Sequence, residues 1–221
     1  MSTTLSFGVK RGPDLGRLFG SGWFGLLAIV TAWGLRIKLD AAASVFDLPA
    51  LASGLCVTFF YVVLALLILM RPTAKAQTPG LLPKTAALVG TYMPWAMPFF
   101  GKITDVPVLN LLSIVCVLVG MAMTLVTIRH LGKSWSLVPQ ARSVVMSGPY
   151  RWIRHPLYLS EEIAILGVVF QYLSVMTLLV LAVHVAIQVC RIRYEEALLG
   201  RTFPDYRTYA ASRWRLLPGV W

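Results

Sequence analysis

Two polar clusters in an otherwise apolar sequence contain the residue types that chemistry needs. The first covers residues 147–158 (S-G-P-Y-R-W-I-R-H-P-L-Y), and the second covers residues 191–196 (R-I-R-Y-E-E). A loop that only reverses the chain does not need arginine, histidine, tyrosine and tryptophan side by side. Pro156 suits the first turn of a helix, because its missing N–H would have no partner there. We therefore expect His155 at a helix N-terminus, and we expect the two clusters to meet in one site.

A row of polar residues extends the second cluster back into the last apolar run. His184, Gln188, Arg191 and Glu195 are spaced four, three and four residues apart. At 3.6 residues per turn they share one face of a helix. Ionisable groups at membrane depth usually face a cavity or a partner, which favours a functional face. The alternative is a self-contained ladder, in which Arg191 pairs with Glu195 and His184 bonds a neighbouring helix.

Two further carboxylates, Glu161 and Glu162, lie early in the apolar run that follows the first cluster. Glu162 stands four residues after Tyr158 and seven after His155, so it should face the same way as both. A role in the site is one interpretation. Stabilisation of the helix start is an equal alternative, because carboxylates in a first turn complement the helix dipole.

The composition excludes an ordinary soluble domain. Of the 221 residues, 57% are hydrophobic and 13% are charged, and the mean hydropathy is +0.73. A soluble domain carries about twice that charged fraction. The chain is therefore predicted to be an all-α, polytopic membrane helical bundle. The net charge of +11 is assigned to basic residues that flank membrane spans, so no nucleic-acid partner is expected. The three cysteines are scattered through apolar runs, and no metal site is expected.

The apolar runs predict about six membrane spans, the third of them kinked by two prolines. They cover residues 23–37, 49–70, 85–100, 106–128, 156–173 and 174–190. The fifth and sixth are nearly continuous, so they should form a tight helical hairpin that joins the two clusters. Residues 1–128 are then N-terminal spans, and residues 129–221 form the cofactor-binding region with a helical tail. The first run is short, and a cleavable signal peptide is the alternative to a retained helix that Arg36 and Lys38 would anchor.

The distribution of basic residues orients this bundle. Six spans put both termini on one side of the membrane. All but three of the 20 Lys and Arg residues fall on that side, the exceptions being Arg36, Lys38 and Lys102. The positive-inside rule makes that side cytoplasmic. Both polar clusters are then expected at the cytoplasmic face of a multi-pass protein, in the inner membrane of a bacterium or the endoplasmic reticulum of a eukaryote.

The two clusters together resemble a known family. The motif G-P-Y-R-W-I-R-H-P-L-Y is followed, after a hairpin, by R-I-R-Y-E-E-A-L-L, then by F-P-D-Y-R-T-Y and a terminal L-P. This combination resembles the isoprenylcysteine carboxyl methyltransferase family, whose relatives include membrane phospholipid methyltransferases. The matching block runs from about Leu131 to Pro218. The first hundred residues are similar only in being spans.

The resemblance implies an integral membrane enzyme that uses S-adenosyl-L-methionine on the cytoplasmic side. The residues that it assigns to the cofactor are Tyr150, Arg154, His155, Pro156, Tyr158, Glu195 and Glu196. Arg191 and Arg193 would orient an acceptor carboxylate or a lipid headgroup. Tyr206 and Tyr209 would help to close the site. The chain departs from the family at Ser160, where glycine is common, and at Glu161–Glu162, where the archetypal enzymes are more apolar.

Methyl transfer from a sulfonium suits these residues. The reaction is an in-line displacement, so alignment of the acceptor atom, the methyl carbon and the sulfur is the main requirement. Glutamate can bind the cofactor's amine, arginine and helix N-terminal N–H groups its carboxylate, and aromatic faces its sulfonium. A carboxylate or thiolate acceptor arrives ionised, whereas an amine needs a base. Glu162 is then a candidate, together with Glu161, Glu196 and His184.

The predicted function is methylation of a lipophilic acceptor that enters from the bilayer, with an isoprenylcysteine-like carboxylate as the first choice. Membrane lipid is the other expected partner, and the sequence does not predict an oligomeric state. One alternative is N-methylation of a phospholipid amine. Another is an NADPH-dependent membrane sterol-type reductase, which shares R-H-P-x-Y and a late acidic residue, although the pair Glu195–Glu196 favours the methyltransferase. A membrane scaffold or transporter without catalytic activity is the non-enzyme alternative.

Overall fold

The protein is mostly helical in the computed structural model, which describes residues 15–41 and 48–221. The helices are α1 (Leu15–Ala41), α2 (Leu48–Met70), α3 (Leu82–Tyr92), α4 (Pro107–Leu131), α5 (Pro156–Gln171), α6 (Val175–Thr202) and α7 (Tyr206–Ala211). Short 3-10 segments cover Met93–Phe99, Gly132–Ser134 and Gly148–Arg151. The all-α prediction needs one correction. Strands β1 (Ala76–Gln77) and β2 (Gln140–Ala141) form a small antiparallel pair, with Ala76 opposite Ala141.

Three helices in the described part of the chain are long and apolar enough to cross a bilayer. They cover Gly16–Ile37, Pro107–Ser134 and Val175–Thr202, and Thr58–Met70 is a shorter apolar helix. This confirms an integral membrane protein, while the count of six spans stays a prediction. The third predicted run is broken as expected: α3 ends at Tyr92, and a 3-10 segment with Pro94 and Pro98 follows.

The chain divides into two compact units, residues 1–73 and residues 74–221. Within the first unit, α1 packs on α2, and Gly20 lies against the side chain of Ile68. The basic residues Lys10 and Arg11 and most of the small-residue segment 41–43 lie outside the described residues. Both polar clusters belong to the second unit.

Helices α4 and α5 approach each other closely because glycines line their interface. A Cβ on Gly120 would lie 2.6 Å from the backbone nitrogen of Ala164, and one on Gly167 would lie 2.7 Å from the carbonyl oxygen of Ser113. Small residues allow such backbone approach between membrane helices. Ser160 is fully buried at this interface and accepts a hydrogen bond of 2.9 Å from the Thr124 hydroxyl. The side of α5 that carries Ser160 and Gly167 is therefore used for packing on α4.

The predicted hairpin between α5 and α6 is present, with only residues 172–174 between the helices. Ser174 begins α6 through a capping box, in which its Oγ accepts from the Thr177 amide and Thr177 Oγ1 accepts from the Ser174 amide. The turn is also tied to the preceding loop. Ser174 Oγ donates to the Phe100 carbonyl at 3.0 Å, and the Thr104 amide donates to the Gln171 carbonyl at 2.9 Å.

Helix α6 continues well past the end of its apolar run at Cys190. It reaches Thr202, so residues 191–196 lie on the same continuous helix as the membrane-depth residues. The condition for a single polar stripe from His184 to Glu195 is thereby met. The two helices run antiparallel, which brings the start of α5 beside the last turns of α6.

Candidate active site

The first cluster adopts the local structure that its prolines predict. Pro156 occupies the first turn of α5, and His155 is the N-cap residue. The preceding 3-10 segment, Gly148–Arg151, begins at a glycine with a φ of 59°. A side chain there would be strained, and its Cβ would lie 2.5 Å from the His130 ring. This turn buries Tyr150 and directs the following residues toward α6.

Glu196 is the point where the first cluster meets the second. Its Oε1 lies 2.7 Å from Nη1 of Arg154 and 3.2 Å from Nε2 of His155, and its Oε2 accepts a hydrogen bond of 2.9 Å from Nε of Arg215. The Glu196 side chain is only 11% exposed, so these contacts are made largely away from water. Both carboxylate oxygens are therefore engaged by cationic side chains of the protein itself.

Backbone hydrogen bonds attach the C-terminal tail to the same loop. The Arg154 amide donates to the Trp214 carbonyl at 2.8 Å, and the His155 amide donates to the Arg215 carbonyl at 3.0 Å. Further along, the Tyr209 hydroxyl donates to the Tyr150 carbonyl at 2.7 Å. Burial raises the pKa of Tyr209 to about 12, so this hydroxyl keeps its proton. The tail is thus a structural part of the site.

The other glutamate of the pair faces a different partner. The Tyr158 hydroxyl donates a hydrogen bond of 3.0 Å to Oε2 of Glu195, and the Arg191 guanidinium lies over the Tyr158 ring at 4.9 Å from its centroid. Arg191 also donates from Nη1 to Oε1 of Gln188 at 2.6 Å. Tyr158 therefore touches both charged residues of the α6 stripe, one through its hydroxyl and one through its ring face.

Deeper in the hairpin, two more polar pairs bridge the helices. His184 Nε2 lies 2.8 Å from Oε1 of Glu162, and the side-chain Nε2 of Gln188 donates to Oε2 of Glu161 at 3.3 Å. His184 and Gln188 are buried, at 1% and 3% exposure. The predicted stripe on α6 is therefore real, and it faces Tyr158, Glu161 and Glu162 of α5. Of the proposed ladder, the bond from His184 to a neighbouring helix is observed, whereas Arg191 does not pair with Glu195 within 4.0 Å.

The charges between α5 and α6 suit a cationic ligand. Glu161, Glu162 and Glu195 supply three carboxylates there, and Arg191 is the guanidinium that the contacts place among them. Among the described residues, Nε of Arg191 and Nδ1 of His184 are buried without a hydrogen-bond partner. A ligand that brings an ammonium and a sulfonium, together with a group that accepts hydrogen bonds, would complement this arrangement. The polar parts of S-adenosyl-L-methionine fit that description.

Arg193 is one predicted site residue that the structure places away from this space. It is exposed, and it lies on the opposite side of α6 from Arg191, in an open groove beside α7. Tyr206 lines the same groove and is buried. The sequence gives no signal that Arg215 belongs to the site, because no acidic residue lies near it in the chain. Only the fold shows that it contacts Glu196.

Comparison with known proteins gives two matches. Residues 112–201 match the family model described as the isoprenylcysteine carboxyl methyltransferase (ICMT) family. The chain is also 32% identical over 90 residues to the nickel-cobalt-cadmium resistance protein NccN of Alcaligenes xylosoxydans xylosoxydans. That similarity covers 38% of this chain and 42% of the relative, so it spans less than half of the relative's length.

Proposed function

We propose that this integral membrane protein transfers a methyl group from S-adenosylmethionine to a lipophilic acceptor, because residues 112–201 match the model of the isoprenylcysteine carboxyl methyltransferase family. An isoprenylcysteine-like carboxylate is the acceptor that we place first. A phospholipid amine is the alternative. The two glutamates at positions 161 and 162 support it, because an amine acceptor needs a base. A role as a scaffold or transporter would not explain the half-buried carboxylates between α5 and α6.

One observation carries the proposal: both halves of the family motif meet across the α5–α6 hairpin. Tyr158 contacts Glu195, and His155 contacts Glu196, although each pair is separated by more than thirty-five residues in the chain. The R-H-P-x-Y motif and the E-E pair are therefore in direct contact at the start of α5. Such convergence of an aromatic ring, carboxylates and a guanidinium supports recognition of a zwitterionic sulfonium compound.

In this proposal the two glutamates have different roles. Glu195 is half-buried and accepts a hydrogen bond from the neutral Tyr158 hydroxyl, so its negative charge remains available for the cofactor's amine. Glu196 is engaged by Arg154, His155 and Arg215, so it is a positioning residue that holds the loop and the tail on α6. The bound cofactor supplies an electrophilic methyl group on sulfur.

Arg191 is the residue that we assign to the acceptor. Its Nε is buried without a hydrogen-bond partner among the described residues, and its Nη1 is fixed by Gln188. A guanidinium held in this way can receive an acceptor carboxylate and orient it for in-line attack. No base is needed for an ionised carboxylate. For an amine acceptor, Glu162 beside His184 would take the proton.

The membrane setting follows from the two substrates. A water-soluble cofactor would reach the end of the hairpin from the cytoplasm, and a lipophilic acceptor would enter from the bilayer. We propose that both termini and the site face the cytoplasm. Membrane lipid is the surrounding partner in this picture.

Calorimetric titration of the full-length protein in detergent tests the cofactor. We expect saturable binding of S-adenosylhomocysteine and no binding of NADPH. The reverse pattern would replace methyl transfer with the reductase chemistry. The acceptor is then sought by incubating the protein with labelled S-adenosylmethionine and extracted membrane lipids, and by identifying the labelled product by mass.

A further inference from the structure

An open groove lies on the outer side of the last turns of α6, between that helix, α7 and the tail. Its volume is about 650 Å³. Its polar lining residues are Arg154, Arg193, Glu196, Arg201, Tyr206, Arg207 and Arg215. Arg193 lies on the opposite side of α6 from the face that carries Gln188, Arg191 and Glu195, and Glu196 lies at the border between that face and the groove. The groove therefore opens on a different side of α6 from the space between α5 and α6.

The groove has far more positive than negative charge. Five of its lining residues are arginines, and Glu196 is the one carboxylate. That carboxylate is already bound by Arg154, His155 and Arg215. Arg193, Arg201 and Arg207 are exposed, and no carboxylate in the described part of the chain lies within 4.0 Å of them. Three guanidinium groups at one opening therefore remain available to an anion.

A buried hydroxyl points to a ligand in the same place. Tyr206 is only 4% exposed, it lines the groove, and its hydroxyl has no hydrogen-bond partner among the described residues. Buried hydroxyl groups are normally paired, so this one indicates a missing acceptor. Burial raises the pKa of Tyr206 above its ordinary value, which keeps the proton available for donation. Nε of Arg154, also at the groove, is a second buried donor without a partner.

We propose that this groove is a phosphate-binding site, formed by Arg193, Arg201, Arg207 and the Tyr206 hydroxyl. A phosphate group has enough acceptor oxygens to bind three guanidinium groups and one tyrosine hydroxyl at once. A single carboxylate has only two oxygens. The phosphate can come from the headgroup of an anionic phospholipid or from a soluble phosphorylated molecule. This site does not depend on the methyl-transfer proposal, because its four residues take no part in the contacts among Tyr158, Arg191 and Glu195.

The test is calorimetry on the full-length protein in a neutral detergent without phosphate, at constant ionic strength. The two probes are inorganic phosphate and monomeric dihexanoyl-phosphatidylglycerol. The double variant Arg201→Gln/Arg207→Gln removes two charges from the groove. Its matched control, Arg129→Gln/Lys133→Gln, removes two exposed charges near the end of α4. Tyr206→Phe removes only the unpartnered hydroxyl.

We expect saturable one-site binding of at least one probe. The groove variant should bind it at least about tenfold more weakly, Tyr206→Phe about threefold to tenfold more weakly, and the control variant within about twofold of wild type. Binding of the lipid alone identifies a headgroup, and comparable binding of inorganic phosphate identifies a soluble source.

Three results would overturn the proposal. The first is that neither probe binds saturably. The second is that the control variant loses as much affinity as the groove variant, which would indicate general attraction to basic residues. The third is that the groove variant loses S-adenosylhomocysteine binding in parallel, which would make the groove part of the cofactor site.

Discussion

The Tyr158 hydroxyl donates to Glu195 across the α5–α6 hairpin at 3.0 Å, while its ring lies 4.9 Å from the Arg191 guanidinium. One side chain thus orders an anion and a cation that stand four residues apart on α6. The two charges are kept from pairing with each other, since each is held by a different part of the tyrosine.

Glu195→Gln should weaken S-adenosylhomocysteine binding at least about tenfold, because the carboxylate that we assign to the cofactor's amine is lost. Tyr158→Phe should weaken binding less, since it removes the orientation of Glu195 but not its charge. The melting temperature of Glu195→Gln should stay close to that of wild type. Calorimetry and thermal unfolding of both variants check this, and wild-type affinity in Glu195→Gln would remove Glu195 from the cofactor site.

Glu196→Gln should affect stability more than Glu195→Gln does. The substitution leaves Arg154, His155 and Arg215 without their anion, and removing one partner of a buried ion pair costs about 3 kcal/mol. The Arg215 side chain is 34% exposed, so Arg215→Gln should lower the free energy of unfolding by no more than about 1 kcal/mol. Denaturant unfolding in mixed micelles measures both. Equal stability of the two glutamate variants would contradict the positioning role of Glu196.

Gly120→Ala should destabilise the α4–α5 pair by about 1–3 kcal/mol, because its Cβ would overlap the backbone of Ala164. Gly200→Ala is the matched control. It introduces the same methyl group into a helix, but the nearest atom outside the helix backbone is the Tyr206 ring at 3.8 Å. The control should be neutral, or more stable by up to about 1 kcal/mol. Thermal unfolding measures the stability of both variants. An equal loss of stability would contradict the close packing of α4 on α5.

Glu162→Gln separates the two acceptor chemistries. The amide keeps a hydrogen-bond acceptor for His184 but cannot take a proton. With a carboxylate acceptor, kcat should change by less than about threefold, because no base is used. With an amine acceptor, kcat should fall about a hundredfold. Steady-state kinetics on the identified acceptor measure this, and Ser160→Gly, which alters the other face of α5, is the control.

The sequence predicted those parts of the site that depend on local geometry. The helical period places His184, Gln188, Arg191 and Glu195 on one face, and Pro156 marks the helix start correctly. The spacing of the charged residues could not show which side chains have hydrogen-bond or ion-pair partners in the folded protein. Glu195 and Glu196 look equivalent in the chain, yet one faces a tyrosine hydroxyl and the other faces two arginines and a histidine.

Contacts that depend on distant segments were also beyond the sequence. Arg215 reaches Glu196 only because backbone hydrogen bonds hold the tail beside the first cluster. Ser160, which stands where the family commonly has glycine, accepts a buried hydrogen bond from Thr124 of α4. The resemblance assigns Arg193 the same role as Arg191, but two residues along a helix turn the side chain by about 200°, and Arg193 lies in the groove beside α7.

The α5–α6 hairpin is fastened at both of its ends. At the turn, Ser174 and Gln171 are bonded to the loop at residues 100–104, and at the other end Glu196 joins the loop and the tail. Because α5 and α6 are attached to each other at both ends, they cannot separate by opening at one end. In the proposed function, a lipophilic acceptor would therefore reach the polar residues between the two helices from the flank of the pair. Substrates with bulky groups beside the reacting atom should then be rejected by the width of that flank rather than by the strength of any single contact.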